Sequence, residues 1–251
     1  MTRRGRTGIS KLRYTDIHQH IVCGVDDGAK DFKTSVAMLE ECVRQGIVNV
    51  VCTSHVRSNS SQKDHTAYCI NFDELVAYVE EKKLPLTLFQ GSEVFYSEES
   101  IHQLKNGVAC TLGNSRRVLV EFQPCVGFET LKSSVNALYN EGYMPVLAHI
   151  ERVDCLKDLK RIDYLRSKYE VMTQMNAGTV ISAGRLFGSR FIKKVIKSGL
   201  VDLIGSDAHN LSSRKVNIRK AAQVLSGMVG SEMTRKMCYG NARAILLGEK
   251  D

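Results

Sequence analysis

The sequence contains no tryptophan, only three prolines, and no pair of cysteines spaced CxxC. Its eight cysteines (Cys23, Cys42, Cys52, Cys69, Cys110, Cys125, Cys155 and Cys238) are scattered. With no secretion signal beside them they read as reduced thiols, mostly small core residues. No stretch approaches the roughly eighteen consecutive apolar residues of a membrane span. The N-terminus also lacks the apolar core of a secretory signal. The expectation is therefore a cytoplasmic chain without a transmembrane segment.

Basic charge is plentiful, but it is not where a nucleic-acid surface would need it. Arg3, Arg4, Arg6, Lys11 and Arg13 supply +5 of the formal +8, leaving +3 for the other 238 residues. No basic stripe follows, so no nucleic-acid partner is expected. Residues 1–13 read as a basic, disordered arm or a misplaced start. The sharper alternative is attraction to an acidic membrane or partner. Residues 14–251 read as one domain. At 251 residues and 43% hydrophobic content the chain can bury a sizeable core, and α/β barrels of this length are often one domain.

Apolar β-branched runs alternate with amphipathic helical runs. Strands are expected at Tyr14–His18, Val48–Ser54, Leu86–Gln90, Val118–Phe122, Pro145–His149, Glu170–Met175 and Val201–Gly205. Helices are expected near 33–45, 71–83, 128–141, 155–168, 188–198, 214–228 and 231–247, with an irregular link over 95–116 holding a short helix near 98–105. Asp31 and Thr34 serve as caps, and Gly46, Gly142 and Gly199 as helix stops. This alternation means an α/β protein with parallel strands and crossovers. Periodicity leaves an open doubly wound sheet and a closed barrel equally possible.

In either architecture the chemistry sits at the C-terminal ends of the strands. Those ends carry His18 and His20, then Thr53-Ser54-His55, Gly91-Ser92-Glu93, Val120-Glu121-Phe122, Ala148-His149-Ile150-Glu151-Arg152, Asn176, and Gly205-Ser206-Asp207-Ala208-His209. Asp26-Asp27-Gly28 follows the first. Residues two apart on a strand share a face, so His18 and His20 form a pair of donors, and Asp207 and His209 repeat the spacing. Five histidines with Glu93, Glu121, Asp207 and one of Asp26 or Asp27 make nine candidate ligands. One ion rarely takes more than six, so the set implies two or three divalent ions with a bridging carboxylate. Mixed imidazole and carboxylate donors suit manganese, iron or zinc. The absence of thiolate from these ends argues against a structural zinc. Taken singly each feature has a bland reading: an incidental HxH, a core-paired Glu121, Asp207 as a helix cap. All seven ends together do not. His65 and His102 read as exposed and uninvolved.

Clustered ions lower the pKa of a water and neutralise phosphoryl oxygens. Arg152, Arg214 and Arg57 lie close to the rim in sequence and are candidate phosphate donors. A rival chemistry is suggested by Cys110 to Arg116 and Cys155 to Arg161, which both fit the CxxxxxR spacing of cysteine-dependent phosphatases. A phosphate loop needs glycines and a helix behind it. The first match precedes a strand and the second lies in a helical pattern without glycine, so neither is taken as a nucleophile.

The ordered set His18-x-His20, Val25-Asp26-Asp27-Gly28, Thr53-Ser54-His55, Gly91-Ser92-Glu93, Val120-Glu121-Phe122, His149-Ile150-Glu151-Arg152 and Ser206-Asp207-x-His209 resembles the polymerase-and-histidinol-phosphatase (PHP) superfamily. The segments from His149 to Arg152 and from Asn210 to Arg214 resemble its bacterial tyrosine phosphatases of capsule and exopolysaccharide operons. The resemblance implies a distorted parallel (β/α)7 barrel and a trinuclear centre usually supplied with manganese. It implies one ion on His18, His20, Glu93 and Asp207, a second on Glu93, Glu121 and His149, and a third on Asp27, His55 and His209. It places Arg152 and Arg214 at the phosphate. The implied substrate is phosphotyrosine on the tyrosine-rich tail of a membrane-linked autokinase, which would put the protein near the membrane through that partner. Gln19, Cys23 and Val56 depart from the family pattern, and Val56 leaves the role of Arg57 open. Rival readings are another PHP phosphoesterase, such as a histidinol-phosphate phosphatase or a nuclease, and a non-catalytic phosphotyrosine-binding protein.

Overall fold

The computed structural model describes residues 13–185 and 188–248. Seven strands follow one another round a parallel sheet in chain order: β1 Tyr14–Gln19, β2 Ile47–Val56, β3 Thr87–Phe95, β4 Arg117–Glu121, β5 Met144–Leu147, β6 Met172–Asn176 and β7 Leu203–Gly205. The helices between and after them are α1 Phe32–Gln45, α2 Gln62–Glu81, α3 Ser100–Lys105, α4 Phe128–Asn140, α5 Leu159–Tyr169, α6 Ala177–Ala183, α7 Arg190–Lys197, α8 Ile218–Arg235 and α9 Asn241–Leu247. Parallel neighbours require a crossover at every step, and the helices supply it.

The choice between open sheet and barrel is settled at the seam. At its last residue β1 meets the segment after β7 through a parallel bridge between Gln19 and Ala208. The His20 N–H donates to the Ala208 carbonyl and the Asp207 N–H to the His18 carbonyl, each at 2.9 Å. The barrel is uneven. β2 and β3 pair from Asn49 with Thr87 through Val56 with Val94, whereas β3 and β4 pair only from Glu93 with Leu119 to Phe95 with Glu121. Their lower halves splay apart around the 3₁₀ turn Leu112–Asn114, against which α9 packs.

An inner apolar layer, Ile17, Val51, Leu119, Val146 and Leu203, carries one residue from each of five strands, with Phe89 and Met172 packed beside it. Leu112 and the α9 residues Ala242, Ile245 and Leu246 complete that cluster. A larger core fills the space between strands and helices. The site therefore rests on a filled barrel rather than a pore.

Several element bounds differ from the sequence expectation. β2 and β3 run on to Val56 and Phe95, so His55 and Glu93 lie within strands rather than just beyond them. α2 begins at Gln62, not near 71, because Ser61 and Asp64 form a capping box. His65 accordingly sits on a helix and is half-buried, while His102 is exposed as expected. The short α6 was not foreseen, and Asp154–Lys157 is 3₁₀ rather than the start of α5. The break expected between the two closing helices falls at the non-helical Gly230 (φ 82°, ψ 168°) inside α8, and the stretch expected over 231–247 is itself interrupted by a π turn, Lys236–Gly240, before α9. The expectation for the basic arm falls on residues 1–13, of which only Arg13 is among those described. Of the cysteines, which are all free, Cys23, Cys42, Cys52 and Cys238 are core residues, while Cys69, Cys110 and Cys155 are half-buried and Cys125 is exposed.

Candidate metal centre

β1 does not present its histidines by simple alternation. Asp16 pairs with Val50 and Gln19 with Cys52, so β1 spends three residues where β2 spends two. This bulge carries Ile17 into the inner layer while His18 still faces β6. Gln19 turns the other way, to Cys42 of α1. His20 then returns to the site. Bulges are over-represented next to active sites because they re-aim a side chain in this manner.

The other eight candidate side chains gather around Glu93, which is buried near the end of β3. His18 Nε2 and His20 Nε2 lie 3.1 and 3.2 Å from Glu93 Oε2, and both lie 3.6 Å from Asp207 Oδ1. His149 Nε2 lies 2.9 Å from Glu93 Oε1 and 3.3 Å from Glu121 Oε1. His55 Nδ1 faces the same two carboxylates at 3.2 and 3.9 Å. On the remaining side His55 Nε2 and His209 Nε2 each stand 3.4 Å from Asp27 Oδ1. Three overlapping groups emerge: His18, His20, Glu93 and Asp207; His55, Glu93 and Glu121; and His20, Asp27, His55 and His209. Within each, one donor atom per residue lies within 4.8 Å of the others.

The backbone is strained at two of these residues. His149 (φ 30°) and Asp207 (φ 53°) are in the left-handed region, which costs a non-glycine residue of order 1–3 kcal/mol. The loop beyond Asp207 is closed by Asn210, whose side-chain oxygen accepts the Arg214 N–H at 3.1 Å. That turn brings the Arg214 guanidinium back to Asp207 Oδ1, at 2.7 Å. Arg152 reaches Asp207 Oδ2 at 2.8 Å from the 3₁₀ turn Ile150–Arg152. The half-buried Glu151 anchors the same turn by accepting the Asn176 N–H and the Thr179 hydroxyl. Arg57 is exposed and touches neither Asp207 nor Glu93 in any ion pair, but it lines a pocket of about 280 Å³ beside Asp27 and His55. Asn59, His65 and Tyr68 line it too, so His65 is closer to the site than its polar surroundings suggested.

The residues alone left Asp26 and Asp27 undivided, and only the family resemblance singled out Asp27. Asp27 is the exposed one that joins a donor group, and Asp26 is the buried one that orients others. Asp26 accepts from His20 Nδ1 at 2.7 Å, from the His55 N–H at 3.0 Å and from the Gly28 N–H at 2.9 Å. A Cβ on Gly28 would stand 2.2 Å from the His20 carbonyl, which explains the glycine. Gln174 was missed altogether. It is fully buried in the barrel among the ligand candidates, and only a strand-end inventory extended inward by one turn of the pleat would have flagged it.

Burial opposes charge on these groups, and their neighbours override it in most cases. Burial would raise the Glu93 carboxyl, yet the surrounding imidazoles His18, His149 and His20 hold it well below its ordinary range. Burial would lower His20, yet Asp26 and Glu93 push it up to about 10. His209 goes the other way, to about 4, through burial and the adjacent His20 and Arg214. His209 Nδ1 is engaged by the Asp207 carbonyl, which can only accept, so its Nε2 is left with a lone pair and no hydrogen-bond partner. A buried, unprotonated imidazole aimed at a carboxylate fits a divalent cation and fits little else. Burial raises the Cys155 thiol, and burial with the neighbouring Cys69 lifts Cys110 to about 11, which disfavours the nucleophilic thiolate at both CxxxxxR positions.

Comparison with known proteins places this geometry. The profile of a family described as capsular polysaccharide synthesis, CpsB/CapC, matches residues 14–247. The tyrosine-protein phosphatase CpsB of Streptococcus pneumoniae is 30% identical over 240 residues, covering 93% of this chain and 98% of its own. The tyrosine-protein phosphatase YwqE of Bacillus subtilis (strain 168) is 28% identical over 238 residues, covering 92% of this chain and 91% of its own. A crystal structure described as one of the metal-dependent tyrosine phosphatases YwqE and CpsB superposes with a TM-score of 0.83 at 27% identity, covering 94% of this chain and 95% of that one. An amidohydrolase from Mycoplasma synoviae shares the fold, with a TM-score of 0.57 at 12% identity.

Proposed function

The chain belongs to the CpsB/CapC family of capsular polysaccharide synthesis, and from that premise we propose that it is a metal-dependent tyrosine-protein phosphatase. The observation that carries the reading is the array of nine imidazole and carboxylate side chains centred on Glu93, next to two half-exposed arginines. One ion would sit on His18, His20, Glu93 and Asp207, a second on Glu93, Glu121 and His149, and a third on Asp27, His55 and His209. Manganese is the favoured ion, with iron or zinc as alternatives, because mixed nitrogen and oxygen donors accept all three.

When bound, divalent ions supply Lewis acidity and a lowered water pKa. The chain's own residues do the rest. Arg152 and Arg214 each commit few of their five N–H donors to acidic partners, Arg152 one to Asp207 and Arg214 one each to Asp207 and Asp27. The remaining donors are free to hold the equatorial oxygens of a phosphoryl group, whose charge they neutralise as the P–O bond breaks. The leaving phenolate has a pKa of about 10, so it needs little protonation. Asp27, at 60% exposure, lies at the mouth where substrate enters. The substrate would be phosphotyrosine on the tail of a tyrosine autokinase that governs polysaccharide export. No described helix is long and apolar enough to cross a membrane, so we place the protein in the cytoplasm, at the membrane only through that partner.

The test is hydrolysis of phosphotyrosine, phosphoserine and histidinol phosphate in parallel by the manganese-loaded chain. Phosphotyrosine should be turned over fastest, and activity should vanish on chelation. Preference for histidinol phosphate would move the chain to another PHP phosphoesterase. Fewer than two ions per chain, with binding but no turnover, would mark a phosphotyrosine-binding protein.

A further inference from the structure

Gln174 lies on β6 with its side chain fully buried among the candidate ligands, yet its amide offers an ion nothing that the imidazoles and carboxylates do not offer better. Its hydrogen bonds define another role. Asp207 Oδ2 accepts from Asn176 Nδ2 at 2.8 Å. The carboxylate, pinned by Arg152 and Arg214, can only accept, so the Asn176 amide is fixed with its nitrogen toward Asp207. Asn176 Oδ1 is then turned to Gln174, and accepts from Gln174 Nε2 at 2.8 Å. This in turn points Gln174 Oε1 inward, where it accepts the His149 backbone N–H at 2.7 Å. The same oxygen faces His18 Nδ1 at 3.3 Å. Each direction in this chain is forced by the one before it, and it ends on an acceptor. His18 must therefore carry a proton on Nδ1, which makes Nε2, turned toward Glu93 and Asp207, the nitrogen available to an ion.

We propose that Gln174 is the positioning residue of the centre: through Asn176 it reads the orientation of Asp207, and with its carbonyl oxygen it fixes both the tautomer of His18 and the left-handed backbone of His149. One side chain thus couples three candidate ligands drawn from β1, the segment after β5 and the segment after β7. Gly205 makes room for it, since a Cβ there would stand 2.6 Å from His18 Cβ and 3.1 Å from Gln174 Nε2. Groups that orient metal-bound imidazoles in this way are worth about tenfold to a hundredfold in metal affinity. The inference rests on reading the cluster as a metal centre.

The test uses the full chain, stripped by a chelator and titrated with Mn²⁺ by calorimetry, with the His18 tautomer read by long-range ¹H–¹⁵N NMR in the metal-free protein. Wild type should show the Nδ1–H form of His18. Gln174→Met should lose that preference and bind Mn²⁺ about ten- to a hundredfold more weakly. Gln174→Glu keeps the acceptor for His18 and His149 and should keep the tautomer, while losing the donor to Asn176. A wild-type His18 without a proton on Nδ1 would overturn the proposal without recourse to any variant. So would Gln174→Met binding Mn²⁺ as tightly as wild type. If wild type itself binds no Mn²⁺, the metal-centre reading fails instead, and the NMR result still judges the tautomer separately.

Discussion

The sharpest contrast at the residue scale is between two kinds of side chain that could each have carried a phosphatase reaction. His149 sits 2.9 Å from Glu93 and 3.3 Å from Glu121, on a backbone strained into place. Cys110 has a thiol pushed up to about 11 by burial and by Cys69. A raised thiol pKa means less thiolate at any pH below it, so Cys110 is held in its unreactive thiol form at pH 8. His149→Ala should cut phosphotyrosine hydrolysis more than about a hundredfold, beyond the loss typical of an orienting neighbour. Cys110→Ser should leave it unchanged. Iodoacetamide at pH 8 should label the exposed Cys125 well before Cys110, by mass spectrometry of tryptic peptides, with Cys110 labelling still rising as the pH passes 10. Loss of activity in step with Cys110 labelling would return the cysteine mechanism to contention. What could be read from sequence at this scale was the residues that end apolar runs: His55, His149 and His209 each announce a strand end by position. Asp26 and Gln174 could not be read, because a group that orients a ligand is chosen by three-dimensional distance and leaves no spacing of its own. The bulge at Asp16–Gln19 was hidden for a related reason: it breaks the period of two on which the strand reading relies.

At the scale of elements, the helices that were legible had explicit stops. Asp31 accepts the Thr34 N–H at 2.8 Å, and Gly46 adopts φ 83° after α1, as a cap and a terminator should. The break expected between 228 and 231 falls at Gly230, whose non-helical backbone (φ 82°, ψ 168°) divides α8 into two helical stretches. Two glycines three residues apart in α8 now make opposite predictions. Gly227 is exposed, with nothing within 4 Å of an added Cβ and no positive φ. Gly227→Ala should stabilise by about 0.5–1 kcal/mol through helix propensity and a less flexible unfolded chain. Gly230 has equal space but φ 82°, ψ 168°, a conformation that L residues adopt only under strain. Gly230→Ala should therefore destabilise by about 1–3 kcal/mol. Thermal unfolding by circular dichroism separates them, since about 1 kcal/mol is about 2–4 °C in a chain of this size. Equal shifts of the two variants would mean that the kink is not held in solution.

For the whole molecule the decisive joint is the seam, which closes the sheet with a bridge between Gln19 and Ala208 rather than a full strand pair. Beneath that bridge the buried Asp16 carboxylate accepts the Ser206 N–H at 2.8 Å and its hydroxyl at 2.5 Å. Above it the donors divide by side: His18 and His20 come from β1, and Asp207 and His209 from the segment after β7. An ion held by His18, His20 and Asp207 would cross-link the two edges of the barrel at its weakest pairing. Metal binding should then act as folding energy, because the unfolded chain has no such array. At about a hundred times the dissociation constant, binding stabilises by about 2.7 kcal/mol, or about 5–10 °C in Tm. The gain should keep growing with Mn²⁺ concentration, and Asp207→Asn should blunt it. Amide exchange localises the effect. The His20 and Asp207 N–H groups, which form the two backbone bonds of the seam, should exchange faster in the stripped chain and slow on loading. Amides of β2 and β3, paired over their length away from the seam, should change little by comparison. A Tm indifferent to Mn²⁺, or protection that rises evenly over the barrel, would mean that the ions do not clasp the seam and that Asp16 with Ser206 holds it alone.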